Sequence, residues 1–245
     1  MNDIKKKLRY RELKLIWFGS WFVFVVMLLH PVSTKSMHLL MILSIIAIWI
    51  GTVYMVQNKK IFLSIMLGIP ILLIIFLFLP AQQTDSKALR AHYVESLKSF
   101  EEVTYLWGGE SNLGIDCSGL IRQGMIRSNI VQGVKTLNGQ LIREAISLWW
   151  SDSSAKALSE SYLNKTYLLF ESSSINDLDH SRLLPGDFAV TISGIHALAY
   201  IGDKTWIEAD PDQGRVIVVK VPNREVYWFD LPVYIVRWMQ LKEAG

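Results

Sequence analysis

Residues 105–119 read YLWGGESNLGIDCSG, and the chain's single cysteine, Cys117, lies near the end of that stretch between Asp116 and Ser118. Gly108, Gly109 and Gly114 mark a loop before it, where tight turns and close backbone approach are open to glycine. From Asp116 to about Arg127 the spacing predicts a helix, with Leu120, Ile121, Gly124 and Met125 on its packing side. A cysteine at a helix start sits where unpaired N–H groups and the macrodipole favour negative charge. That setting lowers a thiol pKa whose ordinary value is about 8.5. The N–H of Cys117 or Ser118 can also face an oxyanion there. A lone cysteine is more often a small buried hydrophobe, so its chemistry turns on whether a base is in reach.

Of the five histidines, His30 and His38 fall at the ends of long apolar runs, His92 on a helix face and His180 in a polar loop. His196 begins a strand-like segment, GIHALAYIG, at residues 194–202. Alternation puts His196, Leu198 and Tyr200 on one face and Ala197, Ala199 and Ile201 on the other. The next segment, TWIEAD, presents Trp206, Glu208 and Asp210 on one face, and a turn near Gly202–Lys204 lays the two strands antiparallel. Glu208 or Asp210 then reaches His196; the register is not fixed by the sequence. A carboxylate beside the ring fixes its tautomer and stabilises the imidazolium. In isolation, a hydrogen-bonded strand-end histidine and a solvent-facing edge-strand glutamate are the commoner roles.

Outward from this region, the composition is 51% hydrophobic with a mean hydropathy of +0.28, high for a soluble chain. Leu15–Leu29, Met37–Val56 and Ile61–Leu79 carry no Asp, Glu, Lys or Arg. A helix of about 20 apolar residues crosses the hydrocarbon core, so transmembrane helices are predicted at about 13–29, 37–56 and 61–79. Lys5, Lys6, Lys7, Arg9, Arg11 and Lys14 precede the first, only Lys35 lies in the first loop, and Lys59 and Lys60 lie in the second. The positive-inside bias then places the N-terminus in the cytoplasm and everything after Pro80 outside. Trp17 is placed to serve as an interfacial anchor. No acid–base pair falls within the spans, so no pump or ion pathway is indicated. One cysteine excludes an internal disulfide framework and a multi-cysteine zinc site. The net charge of +3 is small and no long charge run occurs, which gives no sign of a nucleic-acid partner.

Residues 1–80 thus read as a membrane anchor, 81–86 as a linker (within PAQQTDSK, residues 80–87) and 87–245 as one globular domain. Lys87–Phe100 has helical spacing, and within Gly133–His180 the stretch LIREAISLWWSDSSAKALSESYL (141–163) suggests one or two helices. After LLPGD (residues 183–187) come short β-branched and aromatic segments, FAVTIS, HALAYIG, TWIEAD, RVIVVKV and VYIVRWM. Helices first and strands later give an α+β class with an antiparallel sheet.

With these residues together, the domain resembles the NlpC/P60 family of cell-wall cysteine peptidases. The resemblance is carried by YLWGG (105–109), GIDCSGL (114–120), LLPGD (183–187), HALAYIGD (196–203) and WIEAD (206–210), in that order, across most of Lys87–Val221. It implies a papain-like fold with Cys117 as nucleophile and His196 as base. Glu208 holds the place of the residue that orients the histidine, usually His, Asn or Gln in the family. An anionic residue there should raise the His196 pKa and favour a thiolate–imidazolium pair. Tyr105, Asp116 and Ser118 map to residues that line the substrate site and bind the free amino end of a muropeptide stem. The implied activity is hydrolysis of peptidoglycan stem peptides at the bond between D-Glu and the diamino acid, with no metal or cofactor. The spans and charge bias add a plasma-membrane, multi-pass location with the domain on the periplasmic or extracytoplasmic side. Two departures are an apparent insertion within Gly139–His180 and three spans in place of a wall-binding module. The alternatives are an amidase, thioesterase or acyltransferase on the same fold, or a non-catalytic wall-binding scaffold.

Overall fold

The computed structural model describes residues 2–242, with side chains from Tyr10 onward. The side chains of Lys5, Lys6, Lys7 and Arg9, on which much of the predicted orientation rests, and the expected domain end at Gly245 lie outside the described residues. Three helices lead the chain, α1 (Asn2–Leu29), α2 (Lys35–Val56) and α3 (Lys60–Leu77). Each contains a stretch long and apolar enough to cross a membrane: Tyr10–Leu29, Lys35–Val56 and Lys60–Leu77. Leu15, Phe22, Ile61 and Leu72 are among the large apolar side chains left uncovered by protein.

Trp17, predicted as an interfacial anchor, ties α1 to α2. Its Nε1 donates to Thr52 Oγ1 at 3.0 Å, and a Cβ on Gly51 would lie 2.6 Å from its ring. The small residue lets the indole approach, and an indole N–H in apolar surroundings needs an acceptor. Trp49 likewise ties α2 to α3, donating to the Met66 carbonyl at 3.1 Å.

Helix α4 (Ser86–Lys98) is capped by Asp85, whose carboxylate accepts from Lys87 N and Ala88 N. It buries Leu89, Tyr93 and Leu97, a four-residue repeat that forms one stripe. A two-stranded ribbon, β1 (Glu110–Ser111) and β2 (Gly114–Ile115), leads into α5 (Cys117–Lys135). Helix α5 runs about two turns past the predicted Arg127. The extension buries Ser128, Asn129, Gln132 and Gly133, so the apolar signal fades although the helix continues. At Gly124 the two helices cross closely: a Cβ there would meet Tyr93 at 2.7 Å.

Helices α6 (Gly139–Trp150) and α7 (Ala155–Ser159) account for the helical pattern in the middle of the chain. The same region also yields β3 (Thr166–Ser172), which the sequence did not reveal. Strands β4 (Phe188–Thr191), β5 (Ala197–Gly202), β6 (Thr205–Asp210), β7 (Arg215–Lys220) and β8 (Val233–Trp238) complete one antiparallel sheet ordered β3-β8-β4-β5-β6-β7. One sheet face packs on α4 and α5 through Phe188, Ala197, Ala199 and Ile207. The other carries Leu198, Tyr200 and Trp206, covered by Ile175, Val226 and Phe229. Helices and an antiparallel sheet form the expected α+β, NlpC/P60-type fold.

The LLPGD segment is the brace of the sheet. Gly186 has φ +94°, a conformation natural to glycine, and its N–H donates to Tyr200 O at 2.7 Å. Fully buried Asp187 takes a two-pronged contact from Arg237 at 2.6 and 2.7 Å and also accepts from Leu184 N. The linker is held as well. Asn138 Nδ2 donates to Gln82 O at 2.9 Å, and Arg143 Nη1 donates to Leu77 O at 2.6 Å and Leu79 O at 3.1 Å. A cation on the open carbonyls of a helix C-terminus is favourable, so α6 grips the end of α3.

Candidate active site

Cys117 is the first residue of α5, and Asp116 is its N-cap. Asp116 Oδ1 accepts from Gly119 N at 2.6 Å and Ser118 Oγ at 3.0 Å, and its Oδ2 accepts from Gly108 N at 2.8 Å. One carboxylate therefore stitches the glycine loop to the helix start. The glycines are required by space: a Cβ on Gly119 would fall 2.4 Å from Gly109 O, and one on Gly109 would fall 2.5 Å from Gly114 O.

The Cys117 thiol is 7% exposed. Burial is the main cause that pushes its pKa up to about 12, with Asp116 adding to it, while the N–H groups of Ala197, Ser118 and Cys117 itself pull it down. The sulfur therefore lies against the peptide N–H that follows His196. No hydrogen bond joins Cys117 to His196 among the described residues; catalytic contacts are often loose in ligand-free enzymes and tighten on the substrate.

His196 is held by the tight β4–β5 turn. Its N–H donates to Thr191 Oγ1 at 3.1 Å, and its carbonyl accepts from Thr191 N at 3.0 Å. The β5–β6 register, Tyr200 opposite Trp206, sets the strand faces as alternation predicts. It resolves the two candidate partners. Glu208 Oε2 meets His196 Nε2 at 2.5 Å, whereas Asp210 turns away and caps the next turn through Asp212 N and Gln213 N. The nearest diagonal neighbour across an antiparallel pair is within reach of long side chains.

Glu208 is fully buried, not a solvent-facing charge, and its Oε1 has no hydrogen-bond partner among the described residues. Burial first, and the charges of Asp210 and Asp212 next, push its pKa well above the carboxylate range. Burial pulls His196 down to about 4 against the raising effect of Asp210, Asp212 and Asp116. The ligand-free site thus holds a neutral thiol and a neutral imidazole, the reverse of the thiolate–imidazolium pair that an anionic neighbour alone would favour. Desolvation outweighs attraction here because all three groups are shut away from water.

The three residues mapped to the substrate site divide. Tyr105 is half-buried beside Cys117, and burial followed by the Cys117 and Asp116 charges raises its pKa to about 12. Asp116 and Ser118 spend their polar atoms inside the protein, Ser118 Oγ also reaching Ser153 O at 3.2 Å. Two features escaped the sequence. Trp228 stacks on His196 with centroids 4.1 Å apart and planes at 21°, yet it lies in an irregular stretch where neither periodicity nor motif marks it. Buried Arg122 pairs with Glu110 below the ribbon, a contact across twelve residues that no helical spacing signals. His180, expected in a polar loop, is buried and accepts from Trp206 Nε1 at 3.1 Å.

Residues 102–233 match the NlpC/P60 family, more than half of the chain. The protein belongs to the NlpC/P60 family. Among solved structures it is similar to NlpC1 from Trichomonas vaginalis, at 18% identity and TM-score 0.40, over 64% of this chain and 47% of that one. It is also similar to the P60 domain of a Mycobacterium avium subspecies paratuberculosis antigen, at 18% identity and TM-score 0.38, over 63% of this chain and 97% of the domain. A third is the peptidoglycan hydrolase RipB from Mycobacterium tuberculosis, at 17% identity and TM-score 0.38, over 62% and 67%. The chain thus spans about half of the Trichomonas protein. No curated protein matches it.

Proposed function

We propose that this NlpC/P60 protein is a membrane-anchored cysteine peptidase that hydrolyses peptidoglycan stem peptides at the bond between D-Glu and the diamino acid. The observation that carries this is the junction of Cys117, at a capped helix N-terminus, with the His196–Ala197 peptide, beside an imidazole held by Glu208. Glu208 occupies Nε2, so Nδ1 is the nitrogen that serves the sulfur. As Cys117 Sγ attacks the carbonyl carbon, Nδ1 takes the thiol proton, and the amides of Cys117 and Ser118 receive the oxyanion. The imidazolium then protonates the leaving amine, and a thioester remains. Water deprotonated by Nδ1 attacks that thioester, releasing the new carboxylate and regenerating the thiol. Tyr105 borders the sulfur and contacts the substrate.

In this proposal residues 1–80 are the anchor, 81–86 the link and 87–245 the catalytic part, with the N-terminus cytoplasmic and the site on the outer side of the plasma membrane. Peptidoglycan fragments and the lipid bilayer are the partners. The test is incubation of the full chain, in lipid nanodiscs, with purified muropeptides and mass spectrometry of the products. A new pair of fragments split after D-Glu, absent with Cys117→Ala, is expected. Turnover that survives Cys117→Ala, or cleavage of a lipid ester with muropeptides untouched, overturns the assignment.

A further inference from the structure

The loop between the first two membrane-length helices docks on the glycine loop that caps the nucleophile. Val32 forms an antiparallel bridge with Gly109, and Glu110 N donates to Pro31 O at 3.0 Å. A Cβ on Gly108 would touch Val32 Cγ1 at 3.4 Å, so the valine side chain lies against that peptide. His30 Nδ1 bonds Val32 O at 2.9 Å and shapes the loop. The next turn adds a second hold: the His38 ring packs against Trp149 of α6 with centroids 4.0 Å apart and planes tilted by 34°, and His38 Nε2 bonds Ser33 Oγ. The helical hairpin thus extends the β1–β2 ribbon by one more backbone segment.

From there the connection to the sulfur is short and made of backbone. Gly109 O accepts from Asp116 N at 3.1 Å, Gly108 N donates to Asp116 Oδ2, and Asp116 caps the helix that starts at Cys117. Gly109 is wedged against Gly114 and Gly119 with no room for a methyl group. A shift of the bridge is therefore passed on to the helix cap. A tether needs none of these contacts; a flexible linker after α3 would suffice.

We infer that the α1–α2 loop is a working part of the candidate active site, with Pro31, Val32 and His38 as positioning residues that hold the Trp107–Glu110 loop and, through Asp116, the amides and sulfur at the start of α5. The inference on turnover rests on the hydrolase proposal; the mechanical coupling does not.

The experiment uses the full chain in lipid nanodiscs, with Val32→Gly and His38→Ala as perturbing variants and His38→Phe as a variant that keeps a ring on Trp149. Hydrogen exchange is followed in peptides covering 105–120 and, as a control for the fold, 197–210. Each perturbing variant is expected to speed exchange over 105–120 about tenfold, the worth of one aromatic contact for His38→Ala and of the lost valine packing with a glycine's added backbone freedom for Val32→Gly, with 197–210 unchanged. On muropeptides kcat falls by a similar factor while KM holds, and His38→Phe stays within about twofold of the parent on both readouts. Exchange over 105–120 within about twofold of the parent in both perturbing variants overturns the inference. Should His38→Ala also loosen 197–210, Val32→Gly alone decides. A parent chain inert on muropeptides removes the hydrolase proposal, while the exchange result still accepts or rejects the coupling.

Discussion

Replacing Glu208 with glutamine separates two jobs that the proposed mechanism assigns to the carboxylate. For Nδ1 to accept the thiol proton, the imidazole hydrogen must sit on Nε2 and be donated to an acceptor. Ionised Glu208, at 2.5 Å, can only accept. A protonated carboxyl disables the base where its proton sits on Oε2: it then donates to Nε2 and places the ring hydrogen on Nδ1. Burial pushes the Glu208 pKa upward, so with the proton on Oε2 the competent form is populated as pH rises through that raised value, and each unit below it costs about tenfold in rate. In Glu208→Gln the side-chain amide oxygen accepts from Nε2–H at every pH, so the carboxyl limb disappears from the profile. The same change turns a charge-assisted hydrogen bond to the imidazolium into a neutral one, a loss of about 1–2 kcal/mol, or roughly 5–30-fold in kcat. The assay is kcat/KM on a muropeptide from pH 4.5 to 9, for parent and Glu208→Gln in the same nanodiscs. The variant is expected to be slower on the alkaline plateau, flat on the acid side, and faster than the parent about two units below the parent's midpoint. An acid limb of equal slope and midpoint in both proteins refutes this account of the proton.

At pH 9 an ordinary thiol is about three-quarters ionised whereas a thiol raised to about 12 is ionised to roughly one part in a thousand; alkylation of Cys117 by iodoacetamide should be correspondingly slow beside free cysteine, with intact-mass spectrometry as the check. Gly119→Ala sets a methyl 2.4 Å from the Gly109 carbonyl oxygen, so it should cost about 1–3 kcal/mol in thermal unfolding and reduce muropeptide turnover more than tenfold.

The helix start at Cys117 could be read from a few residues because the signals are local: glycines, a capping aspartate and a cysteine in succession. His196 and Glu208 could be narrowed by alternation but not paired, because register depends on a turn whose geometry is tertiary. The predicted direction of the His196 pKa failed for the same reason; charge is written in the sequence, burial is not. Strand β3 was hidden since TYLLFES lies at the sheet edge, with Leu168 exposed and Thr166 buried, which blurs the period of two. Trp228 and the Arg122–Glu110 pair depend on loops brought together by the whole fold. The match to NlpC/P60 covers the domain and leaves the helices before it unexplained.

The grip of Arg143 on the end of α3 has a consequence for range. Eight residues, Phe78 to Asp85, join α3 to α4, at most about 28 Å when stretched, and Asn138 and Arg143 keep them drawn in. On the proposed anchoring, the catalytic part stands at a single height, a few side chains above the bilayer, and the spacing between envelope layers, rather than its own diffusion, selects which strands come within its bite.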